Sequence, residues 1–225
     1  MRGGGSVTAS RIESFFLAGP AGRLECFLKL PAGAEPPTGA EPRATAVVCH
    51  PHPLFGGSMH NKVVHAAAEA LVGAGVPTLR FNFRGAGGSA GVHDGGRGES
   101  DDLRAVLGEA QRRFPAVPIV VAGYSFGAFV GLGVGCYDRR VAALIGIAAP
   151  VGLYDFAFLR DCDKPLTLIQ GESDPLAPLG LVLAMAASLP RGARVVPVEG
   201  AAHGFVGRLE VLQTRVAEAL QASLG

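Results

Sequence analysis

The sequence predicts an α/β protein: a mostly parallel sheet with helices on both faces and an antiparallel strand pair at its N-terminal edge. From residue 44 onward, short β-branched apolar runs alternate with longer helix-compatible stretches, the pattern of strands joined by crossover helices. Those runs are apolar throughout rather than at every second position, so both faces of the sheet are expected to be covered. Hydrophobic residues make up 48% and charged residues 17% of 225 residues, enough for one sizeable core. Residues 1–10 are expected to be a flexible N-terminus, and residues 11–225 a single domain.

The elements follow in order. Residues 11–17 and 24–30 read as two strands joined by the turn Gly19-Pro20-Ala21-Gly22. The Pro- and Gly-rich stretch 31–43 reads as an exposed connection. Further strands are expected at 44–49, 76–83, 117–122, 141–147, 165–170 and 193–198. Helices are expected at 58–73, 99–113, 126–136, 178–189 and 204–222. Ser58 is a candidate cap for the helix that runs from Asn61 to Gly73. Glu99, Asp101 and Asp102 suit the first turn of their helix, where negative charge meets the positive end of the dipole. Arg84 and Asp94 are expected to form a structural ion pair.

The motif Gly123-Tyr124-Ser125-Phe126-Gly127 sits between the apolar run Ile119-Val120-Val121-Ala122 and a helix-compatible stretch. Strand, sharp turn and helix is the context in which G-x-S-x-G lifts a serine above a sheet edge, with glycines where side chains would collide with strand and helix. A serine hydroxyl needs a base, and the base needs an orienting group. Asp174 follows the strand-like Pro165–Gly171 and His203 follows Val195–Gly200, so Ser125, Asp174 and His203 each stand just past a strand. Read singly, Asp174 could be a turn residue before Pro175 and His203 a helix cap.

Acyl chemistry at Ser125 also requires backbone donors for an oxyanion. One is expected from Phe126, directly after the serine. The other is expected from the loop His50-Pro51-His52-Pro53-Leu54-Phe55-Gly56-Gly57. Proline carries no N–H, and His50 belongs to the strand end, which leaves the His52 amide, with Leu54 as the fallback.

The chain resembles small bacterial α/β-hydrolases of the dienelactone hydrolase-like or serine aminopeptidase-like kind. The resemblance lies in the block from His50 to Lys62, in Arg80–Ser89, in Gly123–Gly127, in Gly171-Glu172-Ser173-Asp174 and in His203, and spans residues 11–222. It implies an α/β-hydrolase fold, a Ser125/Asp174/His203 triad and hydrolysis of esters or amides, without a definite substrate. Only residues 148–163 remain where larger relatives insert a lid, so the site is expected to be open, with a minimal cap or none. A small carboxylic ester is the expected substrate. Leu54, Phe55, Tyr124, Tyr154, Phe156 and Phe205 are candidates for the substrate pocket; Leu153, Phe158 and Leu159 could equally be packing residues. Peptidase or amidase action, acyl transfer, and a non-catalytic binding module on the same fold stay open.

Other readings of the sequence are weaker. His50-x-His52 resembles a metal pair but has no third ligand nearby, so no metal and no cofactor is expected. Gly85-Ala86-Gly87-Gly88-Ser89-Ala90 matches part of a dinucleotide fingerprint, yet the next helix is expected only near Glu99, too late to meet a pyrophosphate. Gly127, Gly131, Gly133 and Gly135 suggest close packing beneath the sheet. A net charge of +1 and scattered Lys and Arg give no electrostatic case for nucleic acid or an anionic membrane. Cys26, Cys49, Cys136 and Cys162 are widely spaced and read as free thiols in a reducing compartment. The start Met1-Arg2-Gly3-Gly4-Gly5-Ser6 lacks the apolar core of a signal peptide. A cytoplasmic location follows, with monomer and homodimer both open.

Overall fold

The computed structural model describes residues 10–33 and 42–224. The expected flexible N-terminus and most of the expected connection at 31–43 lie outside them. Eight strands form one sheet: β1 (Arg11–Gly19), β2 (Gly22–Leu30), β3 (Thr45–Cys49), β4 (Thr78–Phe81), β5 (Ile119–Tyr124), β6 (Val141–Ile147), β7 (Leu166–Gly171) and β8 (Arg194–Val198). Their spatial order is β1-β2-β4-β3-β5-β6-β7-β8. β1 pairs antiparallel with β2, and β2 with β4; every other neighbour is parallel. The helices are α1 (Lys62–Gly73), α2 (Arg97–Arg113), α3 (Phe126–Tyr137), α4 (Leu179–Ser188) and α5 (Leu209–Leu224), with short 3-10 turns at Pro53–Phe55 and Ala157–Asp161.

The continuous apolar runs have the expected cause. In β3, Val47 and Cys49 enter one core while Ala46 and Val48 enter the other. In β5, Val121 faces one side and Val120 and Ala122 the other. Buried residues of α2, α3 and α4 join the first core, and those of α1 and α5 the second. Parallel pairing across β4-β3-β5-β6-β7-β8 places the carboxyl ends of these strands, and the loops after them, along one edge. Among the described residues no helix is long and apolar enough to cross a membrane. The four cysteines are free and buried.

Several local expectations are corrected. α1 starts at Lys62 because the Asn61 side chain accepts a hydrogen bond from Val63 N–H and caps it; Ser58 instead accepts from His60 N–H in the preceding turn. α5 starts at Leu209 rather than 204, because Phe205 and Gly207 have φ of 50° and 70°, which a helix does not allow. α2 begins at Arg97, and Glu99 is fully buried where it accepts from the Asp94 and Gly96 amides. Arg84 pairs with Asp102 and not with Asp94: the buried carboxylate of Asp102 accepts from Arg84 N–H at 2.9 Å, Nε at 3.0 Å and Nη2 at 2.8 Å.

Candidate active site

Ser125 stands between β5 and α3 with φ 55° and ψ −121°, a backbone conformation rare outside glycine. Its N–H donates to Ile147 C=O at 2.9 Å, and its C=O accepts from Ala128 and Phe129 in the first turn of α3. The flanking glycines are obligatory here. A β-carbon at Gly123 would lie 2.1 Å from Gly127 O, and one at Gly127 2.4 Å from Cys49 O. Tight passage between the strand and the helix is what holds the serine in its strained turn.

Three loops bring Ser125, His203 and Asp174 into one hydrogen-bonded chain. Ser125 Oγ lies 2.9 Å from His203 Nε2, and His203 Nδ1 lies 2.8 Å from Asp174 Oδ2. An ionised carboxylate only accepts, so the proton sits on Nδ1 and leaves Nε2 to accept from the serine hydroxyl. Asp174 is almost fully buried. Burial alone would raise its pKa, but hydrogen bonds from His203 and from the Leu176 and Ala177 amides hold it below the usual carboxylate range. Tyr124 Oη donates to His203 C=O at 3.2 Å. Burial and the Asp174 charge push its phenol up to about 12, so it stays a neutral donor.

Gln170 was not legible as part of this site. Its Nε2 donates both to Asp174 Oδ2 at 2.9 Å and to Ala177 C=O at 2.7 Å. The available signal was a polar residue near the end of an otherwise apolar buried strand.

No described group accepts a hydrogen bond from the backbone N–H of His52 or of Phe126. The Leu54 amide is not free, since it donates to His52 Nδ1 at 3.2 Å. That removes Leu54 as a donor to substrate. His50 is fully buried with both ring nitrogens engaged, Nε2 with Phe83 N–H at 2.9 Å and Nδ1 with Pro51 C=O at 2.6 Å. It therefore has no lone pair for a metal. Among the described residues no three His, Cys, Asp or Glu side chains cluster as metal ligands would.

The family profile of the serine aminopeptidases (S33) matches residues 40–159. An uncharacterized protein of Rickettsia prowazekii is 37% identical over 169 residues, 73% of this chain and 68% of its own length. The chain belongs to the serine aminopeptidase S33 family of α/β-hydrolases. Solved relatives agree in structure. An α/β serine hydrolase homologue from Coxiella burnetii superposes with a TM-score of 0.85 at 40% identity, covering 92% of this chain and 97% of that one. A lidless α/β serine hydrolase from Xanthomonas campestris gives 0.85 at 35% identity, covering 97% of each. An esterase from Pyrococcus furiosus, 19% identical over 96% of this chain and 94% of that one, shares the fold at a TM-score of 0.78.

Among the described residues this α/β-hydrolase carries no lid, and its candidate pocket residues separate into four groups. Tyr124 lines a cavity of about 400 Å³ with Gly56, His60, Lys62 and Gly204, the residue after His203, although none of Ser125, Asp174 and His203 itself borders it. Leu54 and Phe55 stand exposed on the loop that carries His52. Tyr154 and Phe156 line a separate cavity against α4, among Leu181 and Met185, which none of Ser125, Asp174 and His203 borders. Phe205 is no pocket residue: it is fully buried in the core beneath α1 and α5.

The α/β-hydrolase also holds a second carboxylate and imidazole pair that sequence reasoning missed. His93 Nδ1 lies 2.8 Å from the buried Glu99 Oε1, and the His93 ring lies 4.4 Å from that of His52. The His52 ring in turn packs at 4.8 Å against Phe126. These contacts wedge the side chains of the two residues that carry the free amides.

Proposed function

We propose that this chain is a serine hydrolase that cleaves a small carboxylic ester through an acyl-enzyme intermediate. The observation that carries the reading is the unbroken chain Ser125 Oγ, His203, Asp174, with both contacts inside 3 Å. Ser125 Oγ attacks the substrate carbonyl carbon while His203 Nε2 takes the hydroxyl proton. The resulting oxyanion is held by the N–H groups of His52 and Phe126, with the positive end of α3 behind the latter. Collapse breaks the carbonyl carbon to leaving-oxygen bond, and His203 returns its proton to the departing alcohol. Water then attacks the acyl-enzyme, His203 takes its proton, and Ser125 is released with that proton as the carboxylic acid leaves. Asp174 keeps the imidazole in the required tautomer and balances its transient charge.

The absence of a lid supports a small, accessible substrate. Four free, buried thiols suit a reducing compartment such as the cytoplasm. The test is hydrolysis of 4-nitrophenyl acetate beside aminoacyl 4-nitroanilides. The reading expects turnover of the ester that is abolished in Ser125→Ala and His203→Ala. Equal turnover in Ser125→Ala would refute it, and preference for the anilide would redirect it to a peptidase.

A further inference from the structure

We infer that His50 is a positioning residue for the oxyanion site: through Pro51 it aims the backbone N–H of His52 at the carbonyl that Ser125 attacks. The inference rests on the serine-hydrolase reading above and adds a role for a buried side chain that does not touch substrate.

His50 is fully buried at the end of β3. The Phe83 N–H donates to its Nε2 at 2.9 Å, so Nε2 is the acceptor nitrogen and the ring proton sits on Nδ1. That Nδ1–H donates to the carbonyl oxygen of Pro51 at 2.6 Å. Pro51 C=O and His52 N–H belong to the same peptide unit, and in a trans peptide the two point in opposite directions. Fixing the carbonyl toward the His50 ring therefore fixes the His52 N–H away from it, and that amide finds no partner among the described residues. Proline on both sides of His52 removes any neighbouring N–H that could take its place. Burial depresses the His50 pKa to about 4, so the ring keeps this neutral tautomer across the neutral range. The relay ties the amide to Phe83, just beyond β4, and so to the rigid sheet rather than to the exposed loop tip of Leu54 and Phe55.

Two amide substitutions separate positioning from ordinary structural support. An asparagine places its Nδ2 near the site of Nδ1 and can still donate to Pro51, while it loses the acceptor for Phe83. A glutamine reaches the Nε2 site and can still accept from Phe83, while it loses the donor to Pro51. Each is measured in the full chain by ester kinetics, by the rate of fluorophosphonate labelling of Ser125, and by urea unfolding. The expected result is that His50→Gln loses about a hundredfold in kcat and in labelling rate with KM little changed, the size of a lost oxyanion donor. His50→Asn is expected to keep most of kcat although it is the less stable of the two. Full kcat in His50→Gln, or activity that follows stability in both variants, would overturn the inference.

If neither variant folds, the native chain provides the test by amide NMR. On phosphonylation of Ser125 the His52 amide proton is expected to move downfield as it gains a charged acceptor, with the His50 Nδ1 proton still hydrogen-bonded. An unmoved His52 amide would overturn the inference. A native chain that takes no label at Ser125 would overturn the hydrolase reading itself, whereas a labelled chain with the wrong variant pattern overturns only the role of His50.

Discussion

The side-chain amide of Gln170 donates to Asp174 Oδ2 across 2.9 Å, the same oxygen that lies 2.8 Å from His203 Nδ1. The other carboxylate oxygen takes the Leu176 and Ala177 amides. Asp174 is thus fixed from four directions; burial would raise its pKa, but His203 and the Leu176 and Ala177 amides hold it below the usual carboxylate range. Asp174→Asn would present a donor to His203 and favour the wrong tautomer. The expected loss is about 10⁴-fold in kcat, with binding little changed, measured by steady-state ester hydrolysis. Because the Asp174 pKa is lowered, its own protonation is expected only below the ordinary carboxylate range.

Gly57 closes the loop that carries His52. A β-carbon there would lie 2.1 Å from Pro51 O and 2.6 Å from His52 O, distances that no side chain adopts. Gly57→Ala must therefore shift the Pro51–His52 peptide. The expected outcome is a loss of about 10²–10³ in kcat, the size reported for a removed oxyanion donor. A Gly56→Ala control is informative, since nothing lies within 4 Å of a β-carbon there, although its φ of 75° adds local backbone strain. Comparing kcat/KM of the two variants checks this.

Asp102 is the buried anchor of the loop after β4. Its side chain is wholly inaccessible and holds Arg84 through three hydrogen bonds. Removing one member of such a pair leaves the other charge without compensation. Asp102→Ala is expected to cost about 3–5 kcal/mol, read as a lower urea midpoint.

His50 makes folding stability depend on pH. Its folded pKa is about 4 against an ordinary 6.5, because burial disfavours the charged ring. Between those values the unfolded chain binds a proton that the folded chain refuses, so stability falls as pH drops from 6.5 toward 4. The expected contribution is about 3 kcal/mol, fully present above 6.5. Urea unfolding at pH 7 and pH 4.5 measures it, and His50→Gln is expected to flatten this part of the slope.

Much of this was legible in the chain. The Ser125 turn, the strand order of Ser125, Asp174 and His203, and the apolar strands follow from local rules, because backbone sterics and two-sided burial leave a pattern within a few residues. What escaped is pairwise and tertiary. Asp94 is the nearer of the two to Arg84 in sequence, and it is the packing of α2 that brings Asp102 to it instead. Asn61 rather than Ser58 caps α1 because the intervening turn is itself hydrogen-bonded. Phe205 next to the catalytic-type histidine suggested a pocket, but its positive φ turns the ring into the core. Gln170 with Asp174 and Ala177, and His93 with Glu99, are only four to seven residues apart, but they meet through irregular loop shapes that leave no residue pattern.

The central claim is that Ser125 is an activated nucleophile, and intact-mass analysis after exposure to a fluorophosphonate tests it most directly. A single adduct on the native chain, absent from Ser125→Ala, is the result expected of an assembled Ser125, His203 and Asp174 relay. A folded native chain that takes no adduct, or an adduct that persists in Ser125→Ala, would contradict it.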